Sequence, residues 1–265
     1  MNNAEYYINN RDEFMTGNID YNLIKGLINN VELIENKNVI AIDVGSCLGE
    51  YIENIDKLCI ENNKNILCFE PNPLNIDLLK NKFENRTDVE LYNYSLSNKT
   101  EMGELFNWKG TTNTIGNKQC GLRSGGDKIC DVKIKRLDDV LDLDYIDKDI
   151  IIKFIKIDTE GNDTNIIKGM GKYLEYTKYI IFQCSDCLDD IRGPGINNPM
   201  KDIVDYLSKN GFDTYKIGVK KLLKVNDEYW NDTYENIKFW SNCFSLKKND
   251  IIINKIIDDD FNYIY

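Results

Sequence analysis

The chain of 265 residues contains no histidine. This absence excludes Ser-His-Asp and Cys-His nucleophilic catalysis, zinc held by imidazole groups, and an imidazole base working near neutral pH. A proton acceptor in this protein must therefore be a carboxylate, a tyrosine or a lysine with a lowered pKa.

Positive charge is also scarce, and long apolar runs are missing. Lysine and arginine number 33 against 44 acidic residues, for a net charge of -11, and the sequence pI is near 4.7. This balance argues against a broad nucleic-acid-binding surface. The apolar runs are strand-sized and the N-terminus lacks the features of a secretory signal, so we expect no membrane span and a cytoplasmic, reducing location.

Most of the eight cysteines lie in apolar stretches, where free cysteine behaves as a small hydrophobe. Cys184 and Cys187 have the spacing of a zinc knuckle, but no second pair stands at the matching distance and no histidine completes four ligands. We therefore interpret most of the cysteines as core residues and expect no zinc site at Cys184 and Cys187.

Short apolar runs alternate with helical segments from residue 38 onward. Alternation at this spacing is typical of an α/β fold with a parallel sheet built from βαβ units. The predicted strands are 38–43, 65–70, 89–94, 151–158 and 179–184, and the predicted helices are 49–61, 75–83, a helix from 163, and 199–209. Two last strands, 212–217 and 238–246, are expected to pair antiparallel.

The remaining segments look different from this pattern. Residues 100–136 have two strand-like segments around a polar, Gly-rich stretch, which predicts a β insertion with a loop over the carboxyl edge of the sheet. We predict an N-terminal helical extension at 1–37, a main domain at 38–249 and a C-terminal tail at 250–265. A stripe of apolar residues over 21–31 predicts one helix in the extension. The extension and the tail are candidates for packing between subunits of a homo-oligomer.

Two of the predicted strands end in a lone acidic residue. Asp43 is followed by Gly45 and Gly49, which let the backbone turn tightly and approach a ligand closely. This glycine spacing is not the dinucleotide fingerprint, which disfavours an NAD-dependent reductase. A carboxylate here suits a cation, and the ammonium and sulfonium groups of S-adenosylmethionine are cations.

Glu70, at the end of the second strand, can accept hydrogen bonds from both ribose hydroxyls of a nucleoside. The alternative is that Asp43 and Glu70 only cap the helices that follow them. The two acids together with the glycines favour a nucleoside-type ligand.

Four segments of the chain resemble the FkbM family of S-adenosylmethionine-dependent O-methyltransferases. They are Asp43-Val44-Gly45-Ser46-Cys47-Leu48-Gly49-Glu50, Phe69-Glu70-Pro71-Asn72-Pro73, Leu137-Asp138-Asp139-Val140 and Ile155-Lys156-Ile157-Asp158-Thr159-Glu160-Gly161. The similarity covers about residues 38–247. One departure is Cys47, where the family more often carries asparagine. The resemblance implies a class I, Rossmann-like methyltransferase fold with a mostly parallel seven-stranded sheet, helices on both faces, and methylation of hydroxyl groups on sugars or small natural products.

The resemblance also implies S-adenosylmethionine as the cofactor and S-adenosylhomocysteine as its product. The expected cofactor contacts are Asp43, Gly45, Ser46, Gly49, Glu70, Asn72 and Ser95. The first residues in this order line the methionine and sulfonium end, Glu70 holds the ribose, and the last ones lie beside the adenosine. For Ser95, the alternative is a hydroxyl that closes a turn.

The predicted strand 151–158 carries charged residues within an apolar run. Period-two alternation puts Lys156 and Asp158 on one face, with Glu160 in the turn beyond. Methyl transfer to an alcohol needs the oxygen in line behind the methyl group and the loss of its proton. We predict Asp158 as the base or as the group that orients the hydroxyl, with Lys156 and Glu160 as further catalytic candidates.

Two other interpretations of this segment remain open. An ion pair of Lys156 with Asp158 or Glu160 would only fix the turn. Alternatively, the oxygen-rich side chains of Asp158, Glu160, Asn162 and Asp163 would hold a divalent cation, although such clusters more often cap helices.

Polar loop residues are the candidates for binding the acceptor. Hydroxyl, amide and aromatic groups suit a sugar, and arginine holds phosphate or carboxylate groups. The candidates are Trp108, Thr112, Asn113, Arg123 and Arg192. Alternatives are an RNA ribose 2′-O-methyltransferase, disfavoured by the acidic charge balance, and a catalytically degenerate nucleoside-binding module.

Overall fold

The structure, a computed structural model, describes residues 2–15, 20–35, 37–145, 149–184, 199–240, 242–256 and 262–264. These residues fall into two compact units. The larger unit contains the described residues between 33 and 178, and the smaller unit contains those before 33 and after 178. The domain boundaries at 37 and 249 stay predictions.

Helices and strands alternate along most of the chain. The α-helices are α1 (Asn3–Asn9), α2 (Tyr21–Asn30), α3 (Ile52–Leu58), α4 (Pro73–Lys82), α5 (Leu137–Asp144), α6 (Asp163–Gly169), α7 (Met200–Lys209), α8 (Thr233–Asn236) and α9 (Ile252–Lys255). The β-strands are β1 (Asn38–Val44), β2 (Asn65–Phe69), β3 (Val89–Tyr92), β4 (Ser95–Leu96), β5 (Glu101–Asn107), β6 (Cys120–Gly121), β7 (Lys128–Lys135), β8 (Ile150–Ile157), β9 (Thr177–Gln183), β10 (Phe212–Ile217), β11 (Lys221–Lys224), β12 (Asn242–Lys247) and β13 (Asn262–Ile264).

Four parallel strands in the order β8-β1-β2-β3 form the base of the larger unit. β1 is buried from its second residue onward, as a central parallel strand should be when both faces of its sheet are covered. In the β1–β8 register, Asp43 lies opposite Lys156. The predicted parallel strands are confirmed in this unit, and all of their ends fall within two residues of the predicted ones.

The helices that follow β1 and β2 begin where their local sequence allows. α4 starts at Pro73, which favours the first helical position, and the Asn72 side chain caps it by accepting the Leu74 N–H at 3.1 Å. α3 is shorter than the predicted helix 49–61, because residues 47–49 are part of the tight turn after β1.

The β insertion is confirmed as a separate small sheet with the strand order β4-β7-β5-β6. Its two long strands, β5 and β7, pair antiparallel. Leu105, Val132 and Ile134 form its apolar core. The polar residues 108–119 run between β5 and β6, and we refer to residues 108–127 as the insertion loop.

The smaller unit has the strand order β13-β11-β10-β12-β9. β12 pairs antiparallel with both β9 and β10, which confirms the antiparallel pairing predicted for the last two strands. β11, which pairs with β10 in a hairpin, was not predicted. α2 confirms the predicted helix, although Tyr21 of the apolar stripe is exposed while Leu23 is buried.

No helix in the part of the chain that the structure describes is long and apolar enough to span a membrane. The strand and helix order gives an α/β architecture with a parallel base and a β insertion, as expected from the sequence.

Candidate functional site

A tight turn connects β1 to α3 and forms one wall of the candidate site. Gly45 and Gly49 have positive φ angles of 79° and 66°, which favour glycine. A Cβ atom on Gly45 would also lie 2.0 Å from the carbonyl oxygen of Asp158. The turn can therefore lie directly against the end of β8 only because residue 45 has no side chain.

Cys47, between the two glycines, also has a positive φ angle, 46°. Asparagine tolerates this left-handed region better than most residues, which gives a physical reason for the asparagine that the family more often carries there. The Cys47 thiol is buried, and burial raises its pKa to about 11. It therefore stays protonated, and its Sγ atom lies 3.7 Å from Nδ2 of Asn75.

A buried ion pair lies beneath the turn. Lys156 places its Nζ atom 3.4 Å from Oδ1 of the fully buried Asp43, and it donates a hydrogen bond to the Gly45 carbonyl at 3.2 Å. Neither Asp43 carboxylate oxygen accepts a hydrogen bond from the residues that the structure describes. Burial raises the pKa of Asp43, and the charge of Lys156 only partly offsets this effect.

Asp158 follows β8, and its exposed side chain places Oδ2 3.8 Å from the Lys156 Nζ atom. The ion pair between Lys156 and Asp158, one of the alternatives left open by the sequence, is therefore present, but the closer carboxylate is that of Asp43. Sequence reasoning missed the Asp43–Lys156 pair because it depends on the register between two strands distant in sequence.

Glu70 links the turn to the segment after β2. Its Oε2 atom accepts the Cys47 backbone N–H and its Oε1 atom accepts the Asn72 N–H, both at 2.8 Å. The side chain is buried, and burial raises the pKa of Glu70 to about 7. The two hydrogen bonds lower this pKa, but burial has the larger effect. Each oxygen keeps a second lone pair, so the carboxylate can still accept hydrogen bonds from ribose hydroxyls.

The insertion loop contacts the segment after β2 through two asparagines of the α4 region. Asn72 donates to Oδ1 of the exposed Asn113 at 3.0 Å. Asn75 accepts the Gly116 N–H at 2.8 Å and donates to the Asn117 carbonyl at 3.4 Å. Asn75 was not predicted as a site residue. The signal was present, because this polar residue lies four positions before Leu79 on the buried face of α4.

The turn after β8 is organised by Asp163. Its Oδ2 atom accepts hydrogen bonds from the Thr159 hydroxyl at 3.0 Å and the Gly161 N–H at 3.2 Å. Glu160, with a φ angle of 58°, is half-buried in this turn. Across the described ranges there is no cluster of three or more acidic or cysteine side chains that could hold a metal ion.

The remaining predicted residues occupy different positions around the site. Ser46 is buried and donates to the Asp43 carbonyl at 2.8 Å. Ser95 is buried in β4, opposite Ile134. In the insertion loop, Thr112 is exposed, while Trp108 and Arg123 are half-buried. Arg192 and Cys187 lie outside the described residues.

These groups fit S-adenosylmethionine chemically. The Asp43–Lys156 pair offers one negative and one positive charge, as an amino acid end requires. Gly45 has no side chain, so a ligand can come close to the backbone there. Glu70 offers oxygen atoms that accept hydrogen bonds from hydroxyl groups. The structure thus provides complementary chemistry for the charged end and for the ribose of the cofactor.

Comparisons with known proteins point in the same direction. The methyltransferase FkbM domain model matches residues 43–214. No curated protein matches the chain. A crystal structure of methyltransferase FkbM from Methylobacillus flagellatus KT is similar, with 12% identity, a TM-score of 0.46, and 92% of this chain and 60% of that chain covered. This chain thus spans less than two thirds of that protein.

Two further solved structures are similar at low identity. Precorrin-6y C5,15-methyltransferase from Geobacter metallireducens GS-15 has 13% identity and a TM-score of 0.41, with 90% of this chain and 95% of that chain covered. The plantazolicin methyltransferase BpumL, in complex with SAH, has 10% identity and a TM-score of 0.40, with 92% of this chain and 88% of that chain covered.

The family model covers more than half of the chain and includes the glycine turn, Glu70 and the end of β8. The chain therefore has the class I methyltransferase fold and belongs to the FkbM family of S-adenosylmethionine-dependent methyltransferases.

Proposed function

We propose that this protein is an O-methyltransferase that methylates a hydroxyl group of a sugar, a nucleotide sugar or a glycan. The observation that carries the proposal is the position of Asp158. Its carboxylate is exposed at the end of β8, 3.8 Å from the Lys156 ammonium, while its backbone carbonyl lies against Gly45 of the cofactor turn. An acceptor hydroxyl bound beside Asp158 is therefore next to the charged end of the cofactor site.

Asp158 orients the acceptor hydroxyl and takes its proton as the oxygen gains the methyl group. S-adenosylmethionine supplies that methyl group on a positively charged sulfur when it is bound. Lys156 does not serve as the base. Although burial disfavours its charge, the carboxylates of Asp43 and Asp158 outweigh this effect and raise the pKa of Lys156. Its ammonium instead lies 3.8 Å from Oδ2 of Asp158 and forms an ion pair with it. Glu160, half-buried in the turn after β8, is a further catalytic candidate.

The cofactor is held by the residues around the glycine turn and the ends of β2 and β4. Backbone groups of the turn approach the cofactor, and Glu70 accepts hydrogen bonds from the ribose hydroxyls. The residues assigned to direct cofactor contact are Gly45, Ser46, Gly49, Glu70, Asn72 and Ser95. Asp43 belongs to the cofactor site as the buried partner of Lys156.

The insertion loop supports a sugar as the acceptor. Thr112 and Asn113 are exposed hydrogen-bonding groups, and Asn113 is tied to the cofactor side through Asn72. Trp108 offers an aromatic face to a sugar ring, and Arg123 offers a guanidinium to a phosphate or carboxylate. Arg192 is a further candidate for this anionic group. A net charge of -11 disfavours RNA as the acceptor.

The test is to measure S-adenosylhomocysteine production with a panel of nucleotide sugars, glycans and RNA oligomers. For an accepted sugar, Asp158→Asn should lower kcat by about 10²–10⁴-fold, as loss of a general base does, with S-adenosylhomocysteine binding unchanged. Asp149→Asn is the matched control, because Asp149 is an exposed carboxylate just before the other end of β8.

Three outcomes would contradict the proposal. The first is full activity of Asp158→Asn. The second is turnover only with RNA. The third is cofactor binding without turnover on any acceptor, which would favour the degenerate nucleoside-binding module.

A further inference from the structure

Three charged side chains at the glycine turn differ in their access to the site. Asp43 is 0% exposed, the Lys156 side chain 12% and the Asp158 side chain 47%. A ligand can therefore reach part of the Lys156 side chain, whereas the Asp43 side chain has no exposed surface.

The Lys156 ammonium has unused hydrogen-bonding capacity. It carries three N–H donors, and one of them is used by the Gly45 carbonyl at 3.2 Å. Asp43 is close enough for an ion pair at 3.4 Å, but its oxygens accept no hydrogen bond from the described residues. Asp158, at 3.8 Å, is beyond hydrogen-bonding distance. The ammonium also lies 5.7 Å from the centre of the Tyr51 ring.

The register of the sheet fixes this ammonium in place. Lys156 and Asp43 are opposite each other on β8 and β1, so their side chains leave the sheet side by side. The Gly45 carbonyl then holds the ammonium directly beneath the glycine turn. A lysine in this position is an anchored positive charge rather than a mobile surface charge.

We propose that the Lys156 ammonium binds the α-carboxylate in the methionine part of S-adenosylmethionine, and that Asp43 is a positioning residue that holds Lys156 in place. The inference rests on the proposed use of this cofactor site. An amino acid end carries one ammonium and one carboxylate, and the site presents the two opposite charges. Lys156 supplies the positive charge that the carboxylate requires. A charge-assisted hydrogen bond in a largely buried place is among the stronger contacts available to a ligand.

The test compares two ligands that differ only in that carboxylate. S-adenosylmethionine and decarboxylated S-adenosylmethionine are titrated by calorimetry into the wild-type chain, Lys156→Met and Lys156→Arg. The wild-type chain should bind the carboxylated ligand about 10–100-fold more tightly, the range expected for one charge-assisted hydrogen bond. Lys156→Met should lose this preference and leave the affinity for the decarboxylated ligand nearly unchanged, and Lys156→Arg should recover part of it.

Two further variants complete the design. Asp43→Asn should reduce the same preference. The double variant Asp43→Asn/Lys156→Met should bind S-adenosylmethionine as tightly as Lys156→Met alone, because Asp43 acts through Lys156. Lys80→Met removes an exposed lysine of α4 and should keep the full preference. Binding of decarboxylated ligand by each variant reports that the site is folded.

The outcomes separate this inference from the proposed function. Equal weakening of both ligands by Lys156→Met would make Lys156 a structural residue and overturn the inference alone. An unchanged preference in Lys156→Met would also overturn it alone. If the wild-type chain binds neither ligand, the proposed use of S-adenosylmethionine fails as well.

Discussion

Oδ1 of Asn75 accepts a hydrogen bond from the backbone N–H of Gly116 at 2.8 Å. This contact joins a buried residue of α4 to the insertion loop. At Gly116, an added Cβ atom would lie 3.2 Å from the Leu48 side chain, so the loop passes close to the glycine turn. Asn75 thus holds the loop next to the same turn that forms the wall of the cofactor site.

Asn75→Ala should release the insertion loop. The change removes the acceptor of the Gly116 N–H and the donor to the Asn117 carbonyl, at a cost of about 1–3 kcal/mol for an unpaired buried group. We expect faster tryptic cleavage at Lys118 and lower affinity for S-adenosylhomocysteine. The control is Asn85→Ala, which removes an exposed amide just after α4 that hydrogen-bonds to Glu84. Equal cleavage rates in Asn75→Ala and the wild-type chain would refute this role.

Gly45→Ala should disrupt the site far more than Gly110→Ala. Both glycines have positive φ angles, 79° and 85°, so both substitutions carry the conformational cost of about 1 kcal/mol. Only at Gly45 would the new Cβ atom collide with Asp158, since nothing lies within 4 Å of a Cβ atom on Gly110. Thermal unfolding and S-adenosylhomocysteine titration of both variants give the comparison. A Gly45→Ala chain that binds as tightly as Gly110→Ala would show that the turn can move away from β8.

The parallel strands of the larger unit were predictable because each is a short apolar run bounded by polar segments. β1 and β8 are such runs, and their ends lie at most one residue from the predicted ones. β11, by contrast, is only four residues long, and its pairing with β10 rests on the hairpin geometry between them. The order of strands in a sheet is a property of contacts distant in sequence, which periodicity does not contain.

The candidate site was predictable where a motif carries the chemistry within a few residues. Asp43, Gly45 and Glu70 stand at strand ends, and the structure brings all three to one turn. The contact between Asp43 and Lys156 could not be read from the sequence, because it depends on the register of β1 against β8. For the same reason, the role of Asn75 required the position of the insertion loop.

Cys47→Asn should leave the protein as stable as the wild-type chain or more stable. The φ angle of 46° at this position costs a cysteine more than an asparagine. Cys47→Val should be destabilised by about 1–2 kcal/mol, because a β-branched residue is strained in the left-handed region. Cys47→Ala separates the loss of the thiol contact with Asn75 from the backbone effect. Urea unfolding measures the free energy of unfolding of each variant. A valine variant as stable as the asparagine variant would contradict the prediction.

Glu70 should make the stability of the chain depend on pH. Its pKa is about 7 in the folded protein against an ordinary value of 4.5. The folded state therefore binds more protons than the unfolded state between these values, so Glu70 favours folding at low pH. This contribution falls as the pH rises from about 4.5 to 7, by at most about 1.4 kcal/mol per pH unit.

Urea unfolding of the wild-type chain and Glu70→Gln at pH 5, 6, 7 and 8 measures this effect. The glutamine cannot ionise. The free energy of unfolding of Glu70→Gln should therefore increase relative to that of the wild-type chain as the pH rises. Ribose hydroxyls that donate to the ionised carboxylate should also make S-adenosylhomocysteine bind the wild-type chain more tightly at pH 8 than at pH 6. A parallel pH dependence in both proteins would show that Glu70 ionises at its ordinary pKa.

Two ion pairs of equal length should differ widely in their effect on stability. Lys153 Nζ–Glu61 Oε1 and Lys37 Nζ–Asp149 Oδ1 are both 2.6 Å, but the side chains are 2% and 1% exposed in the first pair and 42% and 67% in the second. Lys153→Met leaves the Glu61 carboxylate buried without its ammonium, so we expect a loss of about 3–5 kcal/mol. Lys37→Met should cost less than about 1 kcal/mol, because water already solvates that pair.

The double variant Lys153→Met/Glu61→Gln isolates the reason for this difference. The uncharged amide keeps an acceptor for the Ile34 N–H, which Glu61 accepts at 3.0 Å, and no buried charge remains. We therefore expect the double variant to be more stable than Lys153→Met alone, as measured by urea unfolding at pH 7. If the double variant is less stable, the loss in Lys153→Met comes from the packing of the lysine side chain rather than from the unpaired charge.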